Sequence, residues 1–288
     1  MLWRRKKEKW ALVLMGGGAR GLTHIGILDI FHQQRVIPDL IVGTSMGAIV
    51  GGLYAYGFSP EKLKKIADQL SFSEYLFPLP LSRVLKARPK TLIDFLLIEA
   101  YKSRLIKKMG LNQPDKIEEF FQQLIGEANI EDLPLPFACN AVDLLTGQEI
   151  IFSKGNLAKA IRASMSLPFI FEPVNWNGHL LVDGGLINNA PVKIARQLEA
   201  TKTVLVDIHR PLAIIPPENI SNIFQLLQRV METMSYHLHQ DKIEEADYIL
   251  RVDVPYDSLD FSQIASIIEI GKKAAQKNLN QIKKALHL

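Results

Sequence analysis

The stretch Asp39-Leu40-Ile41-Val42-Gly43-Thr44-Ser45-Met46-Gly47 limits what this chain can become more than any other part of it. An apolar run of strand character, Asp39 to Val42, meets a G-x-S-x-G pentapeptide. Behind it, Ala48-Ile49-Val50-Gly51-Gly52-Leu53 is apolar, rich in small residues and helix-like. A serine placed between strand and helix in this way is the pattern of a nucleophile elbow. So tight a turn needs flanking residues without a Cβ. The serine hydroxyl is then held at the C-terminal edge of a sheet, over the positive end of the helix. Glycine and serine are common, so the pentapeptide alone has little specificity; its context gives it weight.

The same region raises a membrane question. Leu40 to Phe58 is nineteen residues without a charge, long enough to span a bilayer, and Gly43, Gly47 and Gly51 are spaced as in helix-pairing segments. Five of the nineteen are glycines, however, and the strand–turn–helix reading accounts for them position by position. A buried soluble core is the expectation.

Upstream, Ala11-Leu12-Val13-Leu14-Met15 reads as a buried strand, too short for a signal peptide, followed at once by Gly16-Gly17-Gly18-Ala19-Arg20-Gly21. Leu22, Ile25, Leu28 and Phe31 then recur at helical spacing. The loop has two chemical readings. Gly16-x-Gly18-x-x-Gly21 matches the dinucleotide fingerprint, which requires an acidic residue at the end of the next strand. That strand ends instead in Gly43-Thr44-Ser45. The other reading is an oxyanion hole, in which backbone N–H groups at a helix start stabilise charge on a carbonyl oxygen. With an elbow one βα unit later, the oxyanion reading is preferred.

GGGARG, GTSMG and the later Asp183-Gly184-Gly185, in this order, resemble the three signature blocks of the patatin-like phospholipase family. Ala163-Ser164-Met165-Ser166-Leu167-Pro168 through Pro173-Val174 resembles the block that precedes the family's aspartate. Together they bracket residues 11 to about 210, and the bacterial patatin-like esterases are the most similar group. The resemblance implies an α/β fold, a three-layer sandwich around a mostly parallel sheet. It implies Ser45 as nucleophile and Asp183 as its base without a histidine. It further implies an oxyanion hole within Gly16, Gly17, Gly18, Ala19, Arg20 and Gly21, an elbow of Gly43, Thr44, Met46 and Gly47, and Gly184 and Gly185 beside the aspartate. The substrate would be a lipid or small ester, with no cofactor, no metal and no nucleic acid.

The resemblance and the composition together divide the chain into a basic tail (1–10), a core (11–210) with an insertion at about 59–132, and C-terminal helices with one strand (211–288). Residues 1–10 carry five cations against Glu8, which equals the whole net charge of +4. Flanked by Trp3 and Trp10, this tail reads either as a frayed terminus or as a contact for an anionic membrane surface. Within the insertion, residues 83–108 hold eight basic residues against Asp94 and Glu99. Leu92, Ile93, Leu96, Leu97 and Ala100 share one helical face there. That segment reads equally as a lid at a membrane surface or as a helix packed on the core. Residues 219–245 and 262–286 have helical periodicity with polar outer faces expected. A single cysteine, Cys139, in an apolar strand-like run reads as packing and fits a reducing compartment. The expected location is cytoplasmic, with peripheral contact at the inner membrane face as an added option; the oligomeric state is not legible.

An aspartate with an ordinary pKa near 3.9 is a reluctant base, so the dyad requires burial that raises its proton affinity. Ser45, Asp183 and His209 also occur in the serine–acid–histidine order of α/β-hydrolases, which keeps a triad open. His24, in the helix after the glycine loop, reads as structural, and Arg20 as a brace for that loop rather than a phosphate ligand. A nucleotide binder and a non-catalytic regulatory protein retaining the motifs are the remaining alternatives to an acyl-ester hydrolase.

Overall fold

The computed structural model describes residues 8–69, 114–168, 170–221 and 223–288. The expected contacts at residues 1–7 and 83–108, and the proline-broken Leu76–Leu81, lie outside them. The strands in chain order are β1 (Trp10–Leu14), β2 (Leu40–Gly43), β3 (Phe137–Asp143), β4 (Glu149–Phe152), β5 (Val174–Trp176), β6 (His179–Asp183), β7 (Lys202–Asp207) and β8 (Tyr248–Arg251). The helices are α1 (Thr23–Gln33), α2 (Met46–Ala55), α3 (Pro60–Gln69), α4 (Pro114–Ile125), α5 (Leu157–Ser164), α6 (Val192–Gln197), α7 (Ile223–Ile243) and α8 (Ile264–Ala285).

β1 is buried at every position and lies inside the sheet, between β2 and β7. Continuous apolar runs of this kind belong to strands covered on both faces. β2 and β7 flank it in parallel, with Leu14 opposite Gly43 on one side and Val206 on the other. β8 extends the parallel part beyond β7, and β3 does so beyond β2. Then the direction changes. β4 and β6 both run antiparallel to β3, and β5 antiparallel to β6, giving the order β5-β6-β3-β2-β1-β7-β8 with β4 on β3. The architecture is α/β, an eight-stranded mixed sheet with helices packed on it. The β5–β6 hairpin turns at Asn177-Gly178, both with positive φ (53° and 84°), the pair a tight hairpin demands.

The nineteen uncharged residues from Leu40 resolve into β2, a turn and α2, which is buried along nearly its whole length. Among the described residues no helix is long and apolar enough to cross a membrane. One apolar cluster runs from Trp10 to Leu286. It takes in Leu63 and Ile66 of α3, Ile117 and Phe121 of α4, and Ile267 and Ile282 of α8.

α1 and α8 cross at backbone distance. A Cβ at Gly26 would lie 2.0 Å from the Ile268 carbonyl oxygen, and one at Gly271 would lie 2.1 Å from that of Thr23. Each helix therefore offers a glycine to the other at the crossing. This fixes α1, and with it the glycine loop that feeds into it.

α7 departs from the expected polar outer face. Leu226, Val230, Met234 and Leu238, one per turn, are about half exposed. The helix is apolar on a second side as well, where Leu227 and Met231 face inward to a cavity. A single-face periodicity assigns both sets to one interior, and only the packing separates them.

Gly271→Ala is expected to destabilise the fold by about 1–3 kcal/mol, because the added methyl meets main chain rather than a movable side chain. A lowered urea midpoint, with an unchanged slope, is the measurement that checks it.

Candidate functional site

Ser45 sits between β2 and α2 with φ 54° and ψ −121°, a backbone conformation that residues with a Cβ rarely adopt. Close main-chain packing sustains it. A Cβ at Gly47 would stand 2.1 Å from the Leu14 carbonyl oxygen, so α2 can start directly against β1 only because that residue is glycine. Gly43 likewise faces the Gly47 carbonyl. The Ser45 N–H donates to Ser164 Oγ at 3.0 Å. Thr44 Oγ1 donates to Asn140 Oδ1 at 2.7 Å, and Asn140 Nδ2 in turn donates to Glu149 Oε1 and to the Asn188 carbonyl. Asn188 Nδ2 reaches the same Glu149 oxygen at 2.8 Å. A buried polar net thus holds the residue before the serine.

Asp183 ends β6 and is 3% exposed. Its Oδ1 accepts the Gly185 N–H at 2.7 Å, and its own N–H donates to the Ser166 carbonyl. Gly184 lies against Asn140, where a Cβ would meet that side chain at 2.5 Å. Burial raises the Asp183 pKa to about 6, while the neighbouring Ser45 hydroxyl and the Gly185 N–H pull it the other way. Hydroxyl and carboxylate, remote in sequence, therefore interact directly in the electrostatics of the site.

The glycine loop passes in front of the serine. A Cβ at Gly16 would stand 2.8 Å from Ser45 Cβ. Asn189 clamps Gly16 from both ends: Oδ1 accepts its N–H at 2.9 Å and Nδ2 donates to its carbonyl at 3.2 Å. Gly18 takes a positive φ of 56°, and the Ala19 N–H donates to the Ser258 carbonyl at 2.7 Å. The Arg20 N–H turns back to Gly17. Three of the expected oxyanion donors, Gly16, Ala19 and Arg20, are thus already engaged through their N–H groups. Gly21 packs on Met46 instead of facing the cavity. The N–H groups of Gly17 and Gly18 remain as the loop's donors. The Ser258 contact also occupies an amide that a dinucleotide reading would give to phosphate.

In front lies a cavity of about 440 Å³, reached by Gly17, Ser45 and Asp183 and walled by Phe171, Leu212 and Leu227. Such a volume suits one small ligand or part of a chain-like one. Arg20 lines it too, with Nε buried and unpartnered. Burial lowers the Arg20 pKa, against the opposing charges of Asp257 and Glu232. His209 lines the same cavity, but its ring meets Tyr236 and His239, and its backbone N–H donates to Asp207. It makes no hydrogen bond to Ser45 or Asp183, and burial lowers its pKa. His24 is fully buried, bonded through Nε2 to the Met15 carbonyl, and pushed down to about 4 by burial. It is a neutral support behind the loop. Burial drives the Cys139 thiol far above its usual range, so it carries no nucleophile. Among the described residues no cluster of His, Cys, Asp and Glu could hold a metal ion.

The family model for the patatin-like phospholipases matches residues 12–196, which contain the glycine loop, the elbow and Asp183. The chain belongs to the patatin-like phospholipase family. Within 69% of its length it is 32% identical to the uncharacterized NTE family protein Rv1063c of Mycobacterium tuberculosis, covering 49% of that protein. Over 93% of its length it is 27% identical to Lysophospholipase NTE1 of Candida albicans, covering 20% of it. It is 33% identical over 69% of its length to mouse patatin-like phospholipase domain-containing protein 6, of which it covers 13%. The chain therefore spans about half, or much less, of the curated relatives it matches. Among solved structures, VipD of Legionella pneumophila shares the patatin-like fold with a TM-score of 0.56 at 13% identity, covering 96% of this chain and 67% of that one.

Several supports of the site are absent from the signature blocks. Asn140, Glu149 and Asn189 lie outside the pentapeptide and the Asp-Gly-Gly triplet, and Asn188-Asn189 reads in sequence as a helix start. The helix begins only at Val192, after Pro191, so both asparagines are released to bond across the sheet edge.

The buried Asp183 supplies a direct check. Its folded pKa of about 6 exceeds the unfolded 3.8, so the fold holds its proton more tightly and loses stability as pH rises between those values. Asp183→Asn, which does not titrate and keeps an acceptor for Gly185, is expected to raise the melting temperature at pH 8. The gain, on the order of 2–3 kcal/mol, should shrink towards pH 4. Thermal unfolding of both proteins across that range measures it.

Proposed function

We propose that this chain is a serine acyl-ester hydrolase that acts on lipids through a Ser45–Asp183 dyad. The observation that carries the reading is a buried carboxylate with a raised pKa interacting with a serine held in a strained elbow. Serine needs a base within reach, and an aspartate serves only if burial makes it willing to accept a proton. Ser45 Oγ attacks the acyl carbonyl as Asp183 takes its proton. The tetrahedral oxyanion is stabilised by the Gly17 and Gly18 N–H groups, which are pre-positioned and need no reorganisation. Collapse expels the alcohol, which receives the proton from Asp183. Water, deprotonated by the same carboxylate, then attacks the acyl-serine, and the proton passes from Asp183 to Ser45 Oγ as the fatty acid is released. The apolar cavity wall suits an acyl chain, and a lysophospholipid is the first substrate to try, given the name carried by the Candida relative.

The dyad is preferred to a triad because His209, whose ring meets Tyr236 and His239, makes no hydrogen bond to Asp183 or Ser45. In this reading Asn189, by clamping Gly16, and Ser164, by receiving the Ser45 N–H, act as positioning residues.

The decisive experiment presents phospholipids, lysophospholipids and short aryl esters to the wild type, Ser45→Ala and His209→Ala. Ser45→Ala should lose activity by roughly 10⁴-fold and fail to react with a fluorophosphonate probe. His209→Ala should stay within about tenfold of wild type, since it carries no proton in this scheme. A folded His209→Ala protein as inert as Ser45→Ala would replace the dyad by the triad. A wild type that neither turns over any ester nor labels at Ser45 would leave a binding protein with the family's fold.

The base must be ionised to act. kcat/KM on a soluble aryl ester is therefore expected to rise with pH through about 6 and level off above it. A profile flat from pH 4 to 8 contradicts the assignment of Asp183.

A further inference from the structure

The wall that closes one side of the cavity is a single helix thick and carries apolar side chains on both sides, with the Arg229–Glu232 pair and Ser235 among those lining the cavity. α7 turns Leu227 and Met231 inward to the cavity, while Leu226, Val230 and Leu238 stand outward, about half exposed. The loop before it behaves alike. Leu212 and Ile215 line the cavity and Ile214 between them points outward with its whole side chain exposed. Arg229 ties the two pieces together, donating from Nη2 to the Ala213 carbonyl at 2.7 Å. Met234 belongs to both sides: it lines the cavity and is 57% exposed. The outer ridge and the inner wall therefore join at the cavity's rim.

We propose that the ridge Ile214, Leu226, Val230 and Leu238 is the surface by which the protein lies on a lipid bilayer, so that an acyl chain passes over Met234 into the cavity. The inference rests on the lipid hydrolase reading above and adds where the substrate enters. Three features select a bilayer as the occupant. The ridge residues are all uncharged, as insertion among acyl chains requires. They are continuous, through Met234, with the cavity that the chain of a lipid would occupy. Arg210, exposed at the same rim and lining the cavity, stands where a phosphate headgroup would remain once the chain has entered. A helix lying in the plane of a membrane buries one apolar face at this depth, and neither Lys, Arg, Asp nor Glu interrupts that face between Leu226 and Leu238 on the i, i+4 row.

The test is co-sedimentation with vesicles of equal parts phosphatidylglycerol and phosphatidylcholine, using 288-residue chains that all carry Ser45→Ala so that no lipid is consumed. Two ridge variants are compared with that parent: the pair Leu226→Asp and Val230→Asp, and Ile214→Asp alone, which changes only an exposed loop residue and carries no folding burden. None of these side chains lines the cavity. Each variant is expected to bind vesicles about tenfold more weakly than the parent. With Ser45 restored, each should hydrolyse a soluble aryl ester within about twofold of wild type while losing hydrolysis of vesicle lipid. A parent that stays in the supernatant overturns the proposal, as do ridge variants that sediment with it unchanged. Conversion of a wild-type dimer to a monomer by the paired substitution, with vesicle binding retained, assigns the ridge to a second copy of the chain and also overturns it. Failure of the wild type on every ester, soluble ones included, counts against the hydrolase reading separately, because the sedimentation measures no turnover.

Discussion

The candidate site depends on a backbone that would not hold its shape alone. Ser45 occupies a positive-φ conformation, which for a residue with a Cβ costs on the order of 1–3 kcal/mol. It persists because the start of α2 is pressed onto β1 at Gly47 and because Thr44 is buried and bonded to Asn140 on the adjacent strand. Parallel strands β1 and β2 end side by side, with Leu14 opposite Gly43, so the glycine loop and the elbow emerge together. β3 and β6 bring in the carboxylate from the other side, where Ala141 pairs with Asp183. Strand register, more than any loop, assembles the site.

Two aspartates on neighbouring strands show how surroundings assign chemical character. Asp143, at the end of β3, accepts hydrogen bonds from His179, the Leu180 and Leu145 N–H groups and Thr146, and its pKa is held well below the usual range, the His179 contact being the main cause. It is a satisfied anion with no capacity as a base. Asp183, at the end of β6, has burial and only the Gly185 N–H and the Ser45 hydroxyl to set against it. It holds its proton more readily. The same residue type is therefore a satisfied anion in one place and a carboxyl with raised proton affinity in the other, according to how many donors meet the charged form.

The site is also divided between rigid and apolar halves. Behind Ser45 and Asp183, main-chain contacts and a largely buried net of Thr44, Asn140, Glu149 and Asn188 leave little freedom. In front, the cavity is bounded by the 209–216 loop and α7, whose outer side chains are half exposed. The hydrogen-bonded side of the site is the more tightly fixed, and the opposite side of the cavity is a thin, mainly apolar wall.

Much of this was legible in the amino-acid order. β1, α2 and the Asn177-Gly178 hairpin follow from local pattern, because a buried strand, a small-residue helix and a tight turn each leave a signature within a few neighbouring residues. Ser45 was legible because Gly43 and Gly47 are required by steric limits, whereas Asp183 was marked only by the resemblance of its Asp-Gly-Gly block to a family pattern. Contacts across the sheet left no such mark. That Asn189 would clamp Gly16, that Ser258 would occupy the Ala19 amide and so narrow the donors to Gly17 and Gly18, and that α7 would present apolar rows to both cavity and exterior were decided only by tertiary structure. A hydrogen bond between residues 173 or 239 positions apart depends on where the sheet sets its strand ends, and periodicity within a helix records how apolar a face is without recording what lies against it.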